Sequence, residues 1–281
     1  MKIPSNQLEA FYILSQERNF TRASKLIGLS QPAFSQRIQA LEAFFETTLV
    51  IREKGNIKLT ESGSKLLKYC HLNQQLENEL LSEISLNSSN EFAGEIRLAG
   101  FSSVMRSIAV PSLNKLIAAN NNILVTSITA ELSELPSLLK SSKVDYIILN
   151  RPIEKEGLRS VLLGYEELVE ITGKSDLDIY LDHDEFDKIT TDFLKHFKIS
   201  SPKKRRFLGD IYSIYDGVKN GLGNAIFPVH LIDSKKINIK NPKKVIKSPV
   251  FLVYNESPYY TALQQKVIGE ISEHFKQMLN S

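Results

Sequence analysis

At 281 residues the chain exceeds what one hydrophobic core usually serves, and its 42% hydrophobic content can fill two or three cores. The single cysteine, Cys70, excludes an intramolecular disulfide, no apolar run approaches the roughly 20 residues of a membrane span, and the N-terminal residues lack a signal-peptide core, so a cytoplasmic protein without a membrane partner is expected. The net charge of +3 is unevenly placed: residues 1–68 carry 10 Lys and Arg against 6 Asp and Glu, which leaves −1 for the remainder and puts a mild polyanion-binding excess at the N-terminal end.

Leu8, Phe11 and Leu14 recur at the spacing of an amphipathic helix, and Ala23, Leu26 and Leu29 continue the apolar stripe through a second, shorter helix. Gly28 breaks that run. Ser30 is suited to cap a third helix starting near Gln31, and Pro32 fits its first turn, where a missing N–H matters little. Phe34, Ile38 and Leu41 are expected to point inward, leaving Gln31, Pro32, Ser35, Gln36 and Arg37 on the other surface near the helix start. Those side chains suit a DNA groove: Gln pairs with adenine, Pro covers a thymine methyl, and Ser and Arg hold phosphate or guanine. A merely solvated helix face is the competing reading.

Leu49 to Arg52 and Ile57 to Leu59 flank Glu53-Lys54-Gly55-Asn56 as two short β-rich runs around a turn, a hairpin wing on which Arg52, Lys54 and Lys58 are candidate phosphate contacts. From an N-cap at Thr60, a long helical pattern runs to about Leu86, with Leu66, Cys70, Asn73, Leu76, Leu80 and Ile84 as a coiled-coil-like seam. Such a helix needs a partner, either its counterpart in a second subunit, which is favoured, or its own C-terminal domain.

Beyond Gly94, strands and helices alternate. Strands over 95–100, 123–129 and 144–149 with helices over 104–118 and 132–141 form a βαβαβ unit, hence a parallel sheet. Strands over 168–172, 179–181, 206–208 and 225–228, with helices over 187–197 and 211–220, form a second set. A strand over 247–254 and a helix over 259–279 then return to the first lobe. Two such lobes place a ligand cleft between them, at the carboxyl ends of strands.

The run from Asn19 to Ser24, the run Leu29-Ser30-Gln31-Pro32-Ala33-Phe34-Ser35-Gln36-Arg37-Ile38, the pair Leu41-Glu42, then Arg52 and Leu59-Thr60-Glu61-Ser62-Gly63 resemble, in order, the N-terminal signature of LysR-type transcriptional regulators. Ser24, Glu46 and Val50 depart from that pattern, where Ala, Gly and Phe are usual. The resemblance extends more weakly through Gly94 to Leu98, Pro111, Asp145, Gly217-Val218, Gly221-Leu222-Gly223 and Pro228. It implies a winged helix-turn-helix domain over 1–60, a dimerising linker helix over 61–90, and a two-lobed α/β periplasmic-binding-protein-like effector domain over 91–281. Lobe I would span about 91–162 and 247–281, and lobe II about 163–246. It also implies a homodimer or a homotetramer built as a dimer of dimers, double-stranded DNA as partner, and a DNA-contacting set of Arg22, Ser30, Gln31, Pro32, Ser35, Gln36, Arg37, Arg52 and Lys54.

In that architecture the first effector candidates are Ser102 and Ser103, where strand one meets helix one, with Thr129 after strand two and Asn150 and Arg151 after strand three. Asp210 and Tyr212 hold the matching junction of lobe II. Capping is an equal alternative for Ser103 and Asp210. The runs Gln36-Arg37-Ile38, Lys68-Tyr69-Cys70-His71 and 76–81 resemble the branch that controls arginine and lysine export. That likeness implies a basic amino-acid effector, its carboxylate on Ser102 and Ser103 and its cation facing Asp210 or Glu131. No cofactor is expected, nor catalysis: there is no phosphate loop, nucleophile elbow or His/Cys metal spacing, and Asp182-His183-Asp184-Glu185 reads as a solvated loop before it reads as a metal site. The competing class is a solute- or partner-binding module with a degenerate DNA-binding domain.

Overall fold

The computed structural model describes residues 3–53, 56–84, 92–174, 177–200, 204–233, 235 and 237–279. Lys54 lies outside them, as does the Ser- and Asn-rich stretch expected to end the linker helix.

Three helices and a hairpin open the chain: α1 (Ser5–Glu17), α2 (Phe20–Leu26), α3 (Gln31–Phe44), β1 (Val50–Glu53) and β2 (Asn56–Leu59). Phe11, Leu14, Ala23, Phe34, Ile38 and Leu41 form their common core. Gly28 ends α2 in the left-handed region (φ 66°). Its N–H bonds the Lys25 carbonyl while that of Leu29 bonds Ser24, the pairing of a Schellman cap. The inward stripe of α2 runs through Phe20, Ala23, Ser24 and Ile27, which turns Leu26, expected inward, out to solvent at 65% exposure.

α4 (Glu61–Ile84) is capped by Thr60, whose Oγ1 accepts from the Gly63 N–H at 3.0 Å. Gly63 is required here, because a Cβ would stand 2.1 Å from the Leu49 carbonyl oxygen, so α4 starts with its backbone pressed on the wing. That approach corrects part of the expected seam. Leu66 and Cys70 are buried in the core of their own helix-turn-helix domain, and Asn73 bonds Glu77 one turn on. Leu76, Leu80, Leu81 and Ile84 remain exposed.

The other flank of α4 lies on the C-terminal half of the same chain. Arg97 makes a two-pronged pair with Asp145 (2.9 and 2.6 Å), and its Nη1 donates to His71 Nε2 (2.8 Å) and to the Ser142 carbonyl (3.1 Å). Tyr12 of α1 packs edge-on against His71. Lys68 reaches Asn255, Gln264 reaches Gln75, and Glu79 takes the Tyr259 hydroxyl and the Ala262 N–H.

β3 (Gly94–Gly100) is flanked in parallel by β4 (Ile123–Thr129) and β5 (Tyr146–Leu149). The first connecting helix, α5 (Ser102–Val104), passes through a π-helical turn (Met105–Ala109) into α6 (Val110–Ser112), and α7 (Asn114–Ala119) follows. The irregular turn precedes Pro111, which has no N–H to continue the α ladder. α8 (Leu135–Lys140) makes the second crossover.

β6 (Leu158–Thr172) and β11 (Val245–Asn255) are longer than expected and pair antiparallel along all of β11 and Leu158–Val169 of β6, so both run from one lobe into the other. The register slips between Val250 and Phe251, opposite Gly164 and Leu162; the extra residue bends the ladder where the strands change lobes. Lobe II holds β7 (Ile179–Asp182), α9 (Ile189–His196), β8 (Lys204–Phe207), α10 (Ile211–Lys219), β9 (Ala225–Pro228), a 3-10 turn (Val229–Leu231) and the short β10 (Asn238–Ile239). β9 and β10 pair antiparallel with β6, so the large sheet is mixed. α11 (Ala262–Leu279) returns to lobe I, where Val267, Ile271 and Phe275 pack on Leu98, Ile148 and Leu252.

Candidate nucleic-acid interface and effector seam

Ser30 caps α3, accepting from the Ala33 N–H at 3.4 Å, and Pro32 occupies the first turn. With Phe34, Ile38 and Leu41 buried, the helix start presents Gln31, Pro32 and Gln36 exposed and Ser35 and Arg37 half-buried. Arg52 is held in place. Its guanidinium stacks 4.1 Å over the Phe20 ring, and its Nη2 donates to Ser35 Oγ at 3.5 Å, tying the wing to α3. A hollow of about 200 Å³ beside it is bounded by Asn19, Thr21, Arg52 and Asn56. Arg22 is turned back onto Glu17 (3.3 Å) and Lys58 onto Glu53 (2.9 Å). Such exposed pairs contribute about 0–1 kcal/mol and yield readily to a phosphate.

Glu42 carries a role that sequence reasoning did not assign. Its Oε1 accepts from the Leu49 and Val50 N–H groups (2.8 and 3.2 Å), fixing the first wing strand to α3. Glu46 ends α3 at φ 50°, its N–H on the Ala43 carbonyl and that of Thr47 on the Glu42 carbonyl. The turn expected of a Gly is therefore made by a residue with a Cβ.

In the C-terminal half, register puts Gly100, Thr129 and Ile148 level at the carboxyl ends of three parallel strands. Ser103 Oγ is buried and donates to Glu166 Oε1 (2.7 Å) on β6. His230, in the 3-10 turn of lobe II, meets the same oxygen through Nε2 (2.8 Å), and its Nδ1 faces Ser107 Oγ (3.3 Å). Arg106 of lobe I stands 4.3 Å over the Tyr212 ring of lobe II. Ser103 and Tyr212 thus meet the seam between the lobes, while Ser102 and Asn150 are half-buried and Thr129, Glu131 and Arg151 are exposed.

Asp210 serves as the N-cap of α10, taking the Tyr212 and Ser213 N–H groups (2.9 and 3.1 Å) and the Ser213 hydroxyl, so its carboxylate faces its own helix and not a ligand cation. The Ser213 hydroxyl and these N–H donors hold its pKa below the usual value. Glu166, His230, Arg106 and Ser107 carried no sequence signal, because their partners across the seam lie more than sixty positions away. Asp182 bonds Thr190 and Arg205, while Asp184 and Asp187 accept from nearby backbone N–H groups. Among the described residues no group of three or more His, Cys, Asp or Glu is placed to hold a metal ion.

An exposed, capped helix start on an N-terminal helical domain, joined by a long helix to two α/β lobes, combines a surface suited to a DNA groove with a two-lobed α/β domain. Residues 5–64 match the family described as bacterial regulatory helix-turn-helix protein, lysR family. The HTH-type transcriptional regulator YkuM of Bacillus subtilis is 24% identical over 87% of this chain and 84% of its own length. Full-length LysG of Corynebacterium glutamicum, solved with the effector Arg bound, superposes with a TM-score of 0.77 at 17% identity, and ArgP of Mycobacterium tuberculosis with 0.79 at 16%; each match covers 99% of both chains. Residues 5–64 thus carry a helix-turn-helix domain of the lysR family, and the chain as a whole shares the fold of full-length LysG and ArgP.

Proposed function

We infer that the protein acts in the cytoplasm as a homodimer or homotetramer that sets paired α3 helices into successive major grooves of a dyad-symmetric operator. An effector held between its lobes changes how those helices sit. The reading rests chiefly on the first turn of α3, whose apolar side is buried while Gln31, Pro32 and Gln36 are free to meet base edges. Ser35, Arg37, Arg52, Lys54 and, once released from Glu17, Arg22 hold phosphates or bases beside them; Ser30 stays a cap. The stripe of Leu76, Leu80, Leu81 and Ile84 on α4 supports pairing with a second copy, since so much exposed apolar surface on one helix asks for a partner.

Domain limits of 1–60, 61–90 and 91–281 accompany this reading, although Leu66, Leu67 and Cys70 of α4 share the first core. The effector is a basic amino acid, as the Arg in LysG suggests, and its contacts come from Ser102, Thr129, Asn150, Arg151 and Tyr212, with Ser103 behind them on Glu166. No enzymatic step is assigned, in keeping with relatives that are transcriptional regulators.

The test is selection from random genomic fragments across a salt series, with wild type, Gln31→Ala and Arg52→Ala. Wild type is expected to enrich a dyad-symmetric site, Gln31→Ala to relax one base position by roughly 1–3 kcal/mol, and Arg52→Ala to lower the salt slope by about 0.9 for each phosphate it no longer neutralises. Enrichment of no site by wild type overturns the proposal.

A further inference from the structure

Two of the contacts between the lobes are incomplete. Glu166 is only 5% exposed, yet Ser103 and His230 both converge on Oε1, and Oε2 has no donor among the described residues. Oε2 is not among the fully buried atoms, so it stands as an acceptor open to a donor from outside the protein. Across the seam the Tyr212 hydroxyl is buried without a hydrogen-bond partner, and Arg106 above its ring has no carboxylate partner among the described residues. Ser103, Arg106 and Ser107 lie three and four positions apart on one helical stretch, so they share a side. That side is the one that meets Glu166, Tyr212 and His230.

The seam therefore offers an unfilled anionic acceptor beside Ser103 and an unfilled cation on Arg106, three positions further along the same helical stretch. We propose that Glu166 and Arg106 read the two ends of an α-amino acid: its ammonium donates to Glu166 Oε2, and Arg106, with the Tyr212 hydroxyl, holds its carboxylate. One negative and one positive protein group match a zwitterion. A dicarboxylate without an amino group meets Glu166 as a like charge, and an amine without a carboxylate leaves Arg106 unpaired. His230 and Ser103 are positioning residues that aim Glu166. This assignment rests on reading the two lobes as an effector domain. It takes the cation-facing role from Asp210, whose carboxylate caps α10, and from the exposed Glu131.

The experiment is calorimetry on the full-length protein with the common α-amino acids, followed by the Nα-acetyl and decarboxylated analogues of the tightest binder. Glu166→Gln and Arg106→Gln are measured alongside. An amino acid is expected to bind, and blocking its ammonium or making Glu166→Gln weakens binding at least about 10-fold, as for a lost charged hydrogen bond. The decarboxylated amine loses a similar factor in wild type and nothing further in Arg106→Gln. An Nα-acetyl analogue that binds as tightly as its parent, or an unchanged affinity in Glu166→Gln, overturns the proposal, and the analogue series on wild type decides the matter even if Glu166→Gln does not fold. Binding of no amino acid by a protein that still enriches an operator overturns this inference and leaves the regulator standing; failure of both removes the regulator as well.

Discussion

His71 makes the joint between α4 and lobe I sensitive to acid. The imidazole is 7% exposed, and Arg97, which can only donate, points Nη1 at Nε2 from 2.8 Å. A proton on Nε2 would break that bond and set a second cation against the guanidinium. Burial, and then the Arg97 charge, push the His71 pKa down to about 3 from 6.5. The folded protein therefore binds this proton far more weakly than the unfolded chain. The stabilisation is complete above about pH 6.5 and is lost as the pH falls, by about 1.4 kcal/mol per unit, until the folded value is reached. Between about pH 6.5 and pH 5 the loss from this one group is about 2 kcal/mol, a sizeable share of a stability of about 5–15 kcal/mol. His71→Gln keeps an acceptor for Arg97 and removes the titration. Urea unfolding of both proteins between about pH 7 and pH 5 separates this group from the carboxylates, since wild type should lose about 2 kcal/mol more than the variant. Parallel losses in the two proteins would refute the argument.

Arg97→Met strands the Asp145 carboxyl, which burial already pushes above its ordinary pKa, and should cost about 3–5 kcal/mol in urea unfolding, whereas Arg97→Met with Asp145→Leu should recover most of it. Gly63→Ala drives a Cβ into the Leu49 carbonyl and should lower stability by about 1–3 kcal/mol while weakening operator binding, because α4 and the wing can no longer close on each other. Glu46→Gly relieves a left-handed residue at the end of α3 and should raise stability by about 1 kcal/mol with DNA affinity unchanged; a drop in thermal midpoint would count against that account. Glu42→Ala leaves the Leu49 and Val50 N–H groups without their carboxylate and should cost about 1–3 kcal/mol, read as a lower thermal midpoint.

Local rules made the N-terminal half legible. Ser30, Pro32 and the Phe34, Ile38 and Leu41 stripe determine where α3 starts and which side it buries, because capping and helical period act over a few residues. The same holds for the Thr60 cap, for β3, β4 and β5, and for the return of α11 to lobe I. Tertiary structure decided what spans long separations. The lobe-crossing length of β6 was hidden by Gly164 and by Glu166 and Glu170, charged residues that only folding buries. Leu66 and Cys70 could have faced either a second copy or their own domain, since periodicity marks a buried side without saying what covers it. Glu166 reads in sequence as one acid among several. It became a candidate site only when folding set it between Ser103 and His230, 63 residues before it and 64 after, where its unfilled oxygen acquires meaning from the low-dielectric seam around it.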